Sequence, residues 1–208
     1  MVLFRKQTTQ VKDKCSKKQI DLRVFGLVVL VILFSKSLVG EELNFKIIEY
    51  LQGLNSFSSN FIQSNGTYLE EGYIYIKDGI IRLDYNNPSR TLKMSKEKGV
   101  YINHELREEE FFSTKKNIIK IFYDIFLNNN FLSSLSPKES NKQIIFEKMI
   151  QSESTKINLK VFFENSPLLL RKIISKTESD LISISFYDHN YNSVFEENFF
   201  SFVPIYLD

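Results

Sequence analysis

The chain has 208 residues, of which 14% are aromatic and 25% are charged, and its formal net charge is +2. This length suits one domain with a substantial hydrophobic core plus a leader. From Glu41 onward, 19 Lys and Arg stand against 23 Asp and Glu, so this part is mildly acidic. Phosphate-backbone binding needs a basic footprint, and we therefore expect no nucleic-acid partner.

The first 40 residues differ from the rest. A basic stretch over residues 1–23 precedes eleven uncharged residues, Val24–Phe34, and then small residues. This order is typical of a secretory signal, and the apolar run is too short to span a bilayer as a helix. We predict a signal peptide over 1–40, with an uncleaved membrane anchor as the alternative. The one cysteine, Cys15, lies in this leader, so residues 41–208 contain no disulfide.

The first half of the predicted mature chain is expected to form one helix followed by several short strands. Residues 43–54 have apolar side chains at helical spacing, and residues 56–63 have the alternation of a strand. Residues 72–88 predict a hairpin around Asp78-Gly79, a dipeptide typical of tight two-residue turns. Further strands are predicted over 91–95, 100–105 and 108–113. Both faces of the hairpin are apolar, with Tyr73 and Tyr75 on one face and Ile74 and Ile76 on the other.

The second half begins with one helix and then returns to strands. A stripe at helical spacing predicts an amphipathic helix that Ser113 or Thr114 could cap and Asn128–Asn130 would end. Period-two patterns then predict five strands, over 142–150, 156–164, 168–177, 180–188 and 193–204. The fold class expected from these patterns is mainly β, with the antiparallel strands in one large curved sheet or an open barrel.

No combination of residues indicates catalysis or a cofactor. His104 and His189 belong to no metal-binding cluster, and we interpret them as a strand-end surface residue and a solvated loop residue. The nucleophile and phosphate-loop motifs of common enzymes are missing. Three adjacent acids, Glu108–Glu110, do not converge on one site and are typical of a solvated edge. We expect no enzyme, no metal and no cofactor.

Two stretches carry a family resemblance, "LQGLNSFSSNFIQ" and "GYIYIKDGIIRLDYNNP". Together they resemble the LolA family of periplasmic carriers of outer-membrane lipoproteins. The C-terminal "DHNYN" and "FFSFVP" follow in the family's order, so the resemblance covers most of residues 43–208. The family's Arg-Pro after the lysine is missing here. The matching residues are Ser56, Phe57, Phe61, Gln63, Gly72, Ile74, Ile76, Lys77, Gly79, Arg82, Leu83, Tyr85 and Pro88.

The resemblance implies both a fold and a task. The LolA fold is an incomplete antiparallel barrel covered by helices, with an apolar cavity for acyl chains between them. Such a carrier accepts acylated lipoproteins from an inner-membrane ABC transporter, shields their acyl chains across the periplasm, and delivers them to an outer-membrane acceptor. The runner-up is a lipid- or lipoprotein-sensing interaction module on the same scaffold, anchored by its N-terminal apolar segment. For the carrier we expect a periplasmic monomer.

Three sets of residues would serve these roles. The lipid-binding cavity is predicted to use weak apolar contacts, because the exchange of acyl chains must stay reversible. Its predicted lining is Phe57, Phe61, Ile74, Ile76, Ile81 and Leu83. The predicted lid helix presents Ile118, Ile121, Phe122, Ile125 and Phe126. The family motif contributes Arg82, Tyr85 and Pro88.

Overall fold

The computed structural model describes residues 42–115, 118–151 and 155–206. The predicted leader, 1–40, lies outside the described residues. The helices are α1 (42–52), α2 (Ile118–Leu127) and α3 (Asn129–Ser133). The strands are β1 (Phe57–Ser64), β2 (Leu69–Lys77), β3 (Ile80–Tyr85), β4 (Arg90–Met94), β5 (Lys98–Asn103), β6 (Glu108–Ser113), β7 (Lys138–Ser140), β8 (Gln143–Gln151), β9 (Lys156–Asn165), β10 (Leu168–Lys176) and β11 (Leu181–Asn190).

All eleven strands belong to one antiparallel sheet, in the order β6-β5-β4-β3-β2-β1-β11-β10-β9-β8-β7. The first strand lies at the centre, where β1 pairs with both β2 and β11. The end strands β6 and β7 have one neighbour each, so the sheet stays open. The predicted incomplete barrel or curved sheet is confirmed, and the short β7 is a strand that the sequence did not indicate.

The predicted hairpin is formed by β2 and β3. Its turn residues Asp78 and Gly79 have φ values of 47° and 76°. Two successive positive φ values are the signature of a type I′ turn, which matches the twist of the flanking strands. Residue pairs Ile74↔Leu83 and Ile76↔Ile81 then place four apolar side chains on one face of the sheet.

That inner face forms the main hydrophobic core. Alternate residues of the strands point into it, in the period that any strand imposes, and all three helices contribute apolar side chains to it. From α1 come Ile47 and Leu51, and α3 contributes Leu132. The core residues of β8 and β9 include Phe146 and Phe163. The helical stripes of the sequence therefore face the sheet, as their spacing predicts.

The outer face has its own cover. Residues 193–204, predicted as a final strand, form no strand and instead cross the outer side of the sheet. Tyr75 contacts the rings of Phe195 and Phe199 edge to face, with centroids 5.9 and 4.9 Å away. Val100 and Ile102 lie on this outer side and are only 2% and 1% exposed, although they are not part of the main core. The prediction of a strand was wrong. The aromatic side chains of this segment pack onto the outer face of the sheet, and their spacing resembles the alternation of a strand.

The predicted helix cap was also wrong. Ser113 ends β6, and the Thr114 hydroxyl donates to the carbonyl oxygen of Ser95 at 2.8 Å. Thr114 therefore fastens the end of β6 to the turn between β4 and β5, several residues before α2 begins at Ile118. The predicted end of the helix is confirmed, because α2 stops at Leu127 and the Asn128 side chain caps α3.

Candidate functional site

The six residues predicted to line a lipid cavity lie together on the inner face. Each is at most 3% exposed, and all belong to the main core. They are Phe57, Phe61, Ile74, Ile76, Ile81 and Leu83. One of them, Ile76, also lines a surface pocket of about 280 Å³ beside Leu54 and Phe126.

The predicted lid helix lies on the same inner side of the sheet. Ile121, Ile125 and Phe126 are buried, and the ring of Phe126 meets that of Phe186 edge to face at 5.8 Å. Phe122 is partly buried, and Ile118 at the start of α2 is 38% exposed. The apolar stripe of α2 is therefore buried toward the C-terminal end of the helix and partly exposed at Ile118, where the helix begins.

A narrow apolar cavity of about 40 Å³ lies between α2 and strands β9 to β11. Beyond it, at Ile118, Ser175 and Ile182, the space widens into a surface groove of about 510 Å³. The groove continues toward Asn65 and Thr177. Four residues of α2 line the cavity, and all but one of the lining residues are hydrophobic. They are Ile118, Ile121, Phe122, Ile125, Leu159, Ile173, Ser175, Ile182 and Ile184.

The strand side of this cavity was missed by the sequence reasoning. Leu159, Ile173 and Ile184 alternate with outward residues as clearly as the hairpin residues do. Alternation identifies an inner face, but it does not say which strands lie opposite which helix. The cavity therefore opens beside β9–β11, and the six residues predicted from β1 and the hairpin lie deeper in the core.

The cavity is too small for a ligand in the arrangement observed. Ligand pockets measure about 300–1,000 Å³, so α2 would have to move for an acyl chain to enter. Its buried residues hold it by apolar contact, which is non-directional. A polar contact accompanies them, because the Tyr123 hydroxyl donates to the carbonyl oxygen of Gly79, in the turn between β2 and β3, at 3.2 Å.

Two of the three family-motif residues stabilise the sheet through side-chain contacts. The Tyr85 hydroxyl donates to Oε1 of Gln63 at 3.1 Å, and its ring meets that of Phe61 edge to face. Burial raises the pKa of Tyr85 to about 12. Arg82 lies on the outer face, where its guanidinium stacks over Phe199 at 4.0 Å. Pro88 follows a cis peptide in the turn between β3 and β4.

The side chains of both histidines make more hydrogen-bond contacts than the sequence predicts. Nε2 of His189 lies 2.8 Å from the carbonyl oxygen of Leu170, and Nδ1 lies 3.0 Å from the Ser59 hydroxyl. Burial lowers the pKa of His189 below its usual value, so the interpretation as a solvated loop residue was wrong. His104 lies just after β5, between the Thr91 hydroxyl and the Tyr206 hydroxyl, each 3.0 Å away.

Two classes of feature are missing from the described part of the chain. Residues 42–115, 118–151 and 155–206 bring together no group of three His, Cys, Asp or Glu that could hold a metal ion. Within the same ranges, no helix has both the length and the hydropathy needed to cross a membrane.

No protein-family model and no curated protein sequence matches this chain. Solved structures are similar at low identity. An uncharacterized conserved protein from Thermus thermophilus has a TM-score of 0.48 at 5% identity, covering 74% of this chain and 88% of the other. The Pseudomonas aeruginosa MucA/MucB complex gives 0.43 at 12% identity, with 74% and 59% covered. MucB in complex with MucA(peri) gives 0.35 at 13% identity, with 72% and 55% covered. The match thus spans little more than half of the chains in the two MucB structures.

Proposed function

We propose that this protein is a periplasmic chaperone for lipoproteins. It shields the acyl chains of lipoproteins released by an inner-membrane ABC transporter and delivers them to an outer-membrane acceptor. It performs no chemical turnover. The observation that carries the proposal is the apolar cavity beneath α2, which widens into the surface groove at Ile118.

The contacts of α2 suit a displaceable lid. Its buried side chains Ile121, Ile125 and Phe126 make hydrophobic contacts with the sheet. An acyl chain that enters below the helix replaces those contacts with others of the same kind. Burial of each CH₂ contributes about 0.8 kcal/mol, so the chain itself can drive the displacement.

The composition of the cavity also suits lipid. No charged side chain lines it, and Ser175 supplies the one polar side chain among the lining residues. A cavity of this kind offers no fixed orientation to a polar ligand, whereas it accepts an alkyl chain in any register. Cargoes that share only their acyl groups can then use one site, which is what the carrier task requires.

The direct test is a release assay. Membrane vesicles that hold a triacylated lipoprotein and the cognate transporter are given ATP and the exported form of the protein. Lipoprotein should appear in the soluble fraction as a one-to-one complex. Phe122→Asp places a charge in the lining of the cavity and should abolish release, because an unpaired charge resists burial beside an alkyl chain.

A matched control uses another aromatic residue. Tyr68 is 70% exposed in the turn between β1 and β2, so Tyr68→Asp should leave release unchanged. Circular dichroism and thermal melting would establish that both variants fold. Equal release by wild type and a folded Phe122→Asp variant would show that the cavity does not hold the acyl chains. A folded wild type that releases nothing, yet binds a peptide or lipid signal, would instead identify the sensing module.

A further inference from the structure

The outer face of the sheet is covered over one half only. The C-terminal segment, residues 193–206, contacts strands from β1 to β6, beginning where the Ser193 hydroxyl meets that of Ser58. It ends where the backbone amides of Ile205 and Tyr206 donate to the Glu109 carboxylate at 2.6 and 2.9 Å. Among the described residues, no comparable segment crosses the outer face of β7 to β10.

That uncovered half is strongly basic. Strand register places on it the side chains that alternate with the buried inner residues. Two carboxylates, Glu147 and Glu164, accompany six cations. The cations are Lys138, Lys156, Lys160, Arg171, Lys172 and Lys176.

Half of the cations are not neutralised. Glu147 pairs with Lys138 at 2.8 Å and also with Lys160, while Glu164 pairs with Arg171 at 2.6 Å. In the described ranges, no carboxylate lies within ion-pair distance of the other three cations, and Glu178 and Asp180 belong to the turn beyond the strand ends. The excess of positive charge arises in a mature chain whose formal charge is −4. The unneutralised cations are Lys156, Lys172 and Lys176.

Hydrophobic side chains lie among these cations. Phe162 on β9 lies opposite Ile145 on β8 and Lys172 on β10, and all three are partly exposed. Met149, on the same face, is 64% exposed. Lysine stems can lie along such apolar neighbours while their ammonium groups reach outward. The face thus combines outward cations with accessible apolar surface.

We propose that the outer face of β7 to β10 is a docking surface for an anionic lipid bilayer. Lipid phosphates attract the unneutralised lysines, and the apolar side chains between them reach into the headgroup region. A purely electrostatic surface would not need Met149 and Phe162. Since α2 lies on the opposite, inner face, docking in this orientation leaves the mouth of the cavity turned away from that bilayer. The proposal does not depend on what the cavity carries.

The first measurement uses a local reporter in the full chain. Cys15→Ser removes the only cysteine, and Met149→Cys then carries an environment-sensitive dye. The control carries the dye at Leu106→Cys, which is 65% exposed in the turn between β5 and β6 against 64% for Met149. Vesicles of phosphatidylglycerol should shift the emission of the dye at position 149 to the blue, and leave that at 106 unchanged. A local dye reads contact at this face whatever the leader contributes.

The second measurement removes the charges. Substitution of Lys156, Lys172 and Lys176 by Gln should raise the lipid concentration at half-shift about a hundredfold, since each lysine near an anionic surface contributes about fivefold. The control triple variant changes Lys46, Lys96 and Lys115 to Gln, with the same loss of charge elsewhere. It should bind like the wild type.

Three results would overturn the proposal. The first is a dye at position 149 that does not respond to phosphatidylglycerol, or that responds equally to phosphatidylcholine. The second is an equal weakening by both triple variants, which would indicate net charge alone. The third is a response to an acidic peptide without any response to vesicles, which would identify a protein-binding surface instead.

Discussion

The ring of Phe61 on β1 lies directly over Gly72 on β2. A Cβ at Gly72 would lie 2.9 Å from Cζ of that ring and 2.0 Å from the carbonyl oxygen of Asp84. Because the second contact is with backbone, it cannot be relieved by a rotamer change. Gly72→Ala should therefore lower the free energy of unfolding by about 3 kcal/mol, the upper part of the range for overpacking. Urea denaturation at neutral pH measures it.

The control for that variant is Gly66→Ala. A Cβ at Gly66 would meet nothing within 4 Å, although the φ of 89° is strained for alanine. We expect a loss of about 1 kcal/mol from the backbone alone. A Gly72→Ala variant as stable as Gly66→Ala would show that the sheet can open at β2 without penalty.

Tyr85 should make the fold sensitive to alkali. Burial raises its pKa to about 12 in the folded protein, whereas the unfolded chain loses the proton near pH 10. The folded state then holds more protons between these values, and stability falls as pH rises. At pH 11.5 the loss from Tyr85 is about 2 kcal/mol. Urea titrations measure the free energy of unfolding at pH 9 and at pH 11.5. Its decrease between the two pH values should be smaller by this amount in Tyr85→Phe than in the wild type. An identical drop would contradict the burial of the hydroxyl.

His189 should make the stability of the fold depend on pH under mildly acidic conditions. Burial lowers its pKa in the folded protein, so the unfolded chain takes up the proton first as pH falls below about 6.5. The contribution to stability is present above that pH and is lost on acidification. His189→Gln has no titrating group and keeps a donor for the Leu170 carbonyl. Its unfolding free energy should therefore depend less on pH between 7 and 5. The same slope in both proteins would place the titrating group elsewhere.

Arg82 should control the attachment of the C-terminal segment. Its guanidinium stacks on the Phe199 ring and donates to the Phe199 carbonyl oxygen at 2.6 Å. Arg82→Met keeps the stem and removes both contacts, at a cost of about 2–3 kcal/mol. Hydrogen exchange of the Ile205 and Tyr206 amides should accelerate, because the segment would detach more often.

A second arginine provides the comparison. Arg107 lies over the Tyr206 ring at 5.4 Å but is in an exposed turn. Arg107→Met should change exchange at these amides much less, since exposed contacts of this kind are weak. Equal acceleration in the two variants would show that Arg82 has no special part in holding the segment.

The architecture could be predicted well from alternation and turn residues. Asp78-Gly79 indicated the hairpin, and the stripe from Ile118 to Phe126 indicated a helix that faces the sheet. These patterns involve only residues that are close in sequence, so they can be recognised without knowing how distant parts of the chain pack together. The six residues predicted from β1 and the hairpin were placed on the correct face for the same reason.

What the sequence could not supply was the relation between distant parts. The segment 193–204 has strand-like alternation, but its rings cover Tyr75, more than a hundred residues earlier. His189 looks like a loop residue until β1 and β10 surround it with Ser59 and the Leu170 carbonyl. The composition showed a mildly acidic chain from Glu41 onward, and only strand register collects Lys156, Lys172 and Lys176 on one face.

The central pairing of β1 with β11 has a consequence for how the chain is made. Strands β1 to β6 pair in chain order and can form hairpins as they emerge from the ribosome. The outer side of β5, with Val100 and Ile102, stays uncovered until residues 193–206 have been synthesised and released. A nascent chain that still lacks β11 and residues 193–206 therefore presents a free edge of β1 and an exposed apolar outer surface at once, which are the features that recruit holding factors and promote aggregation. Docking of residues 193–206 onto the sheet, rather than formation of the first hairpins, ends this exposure.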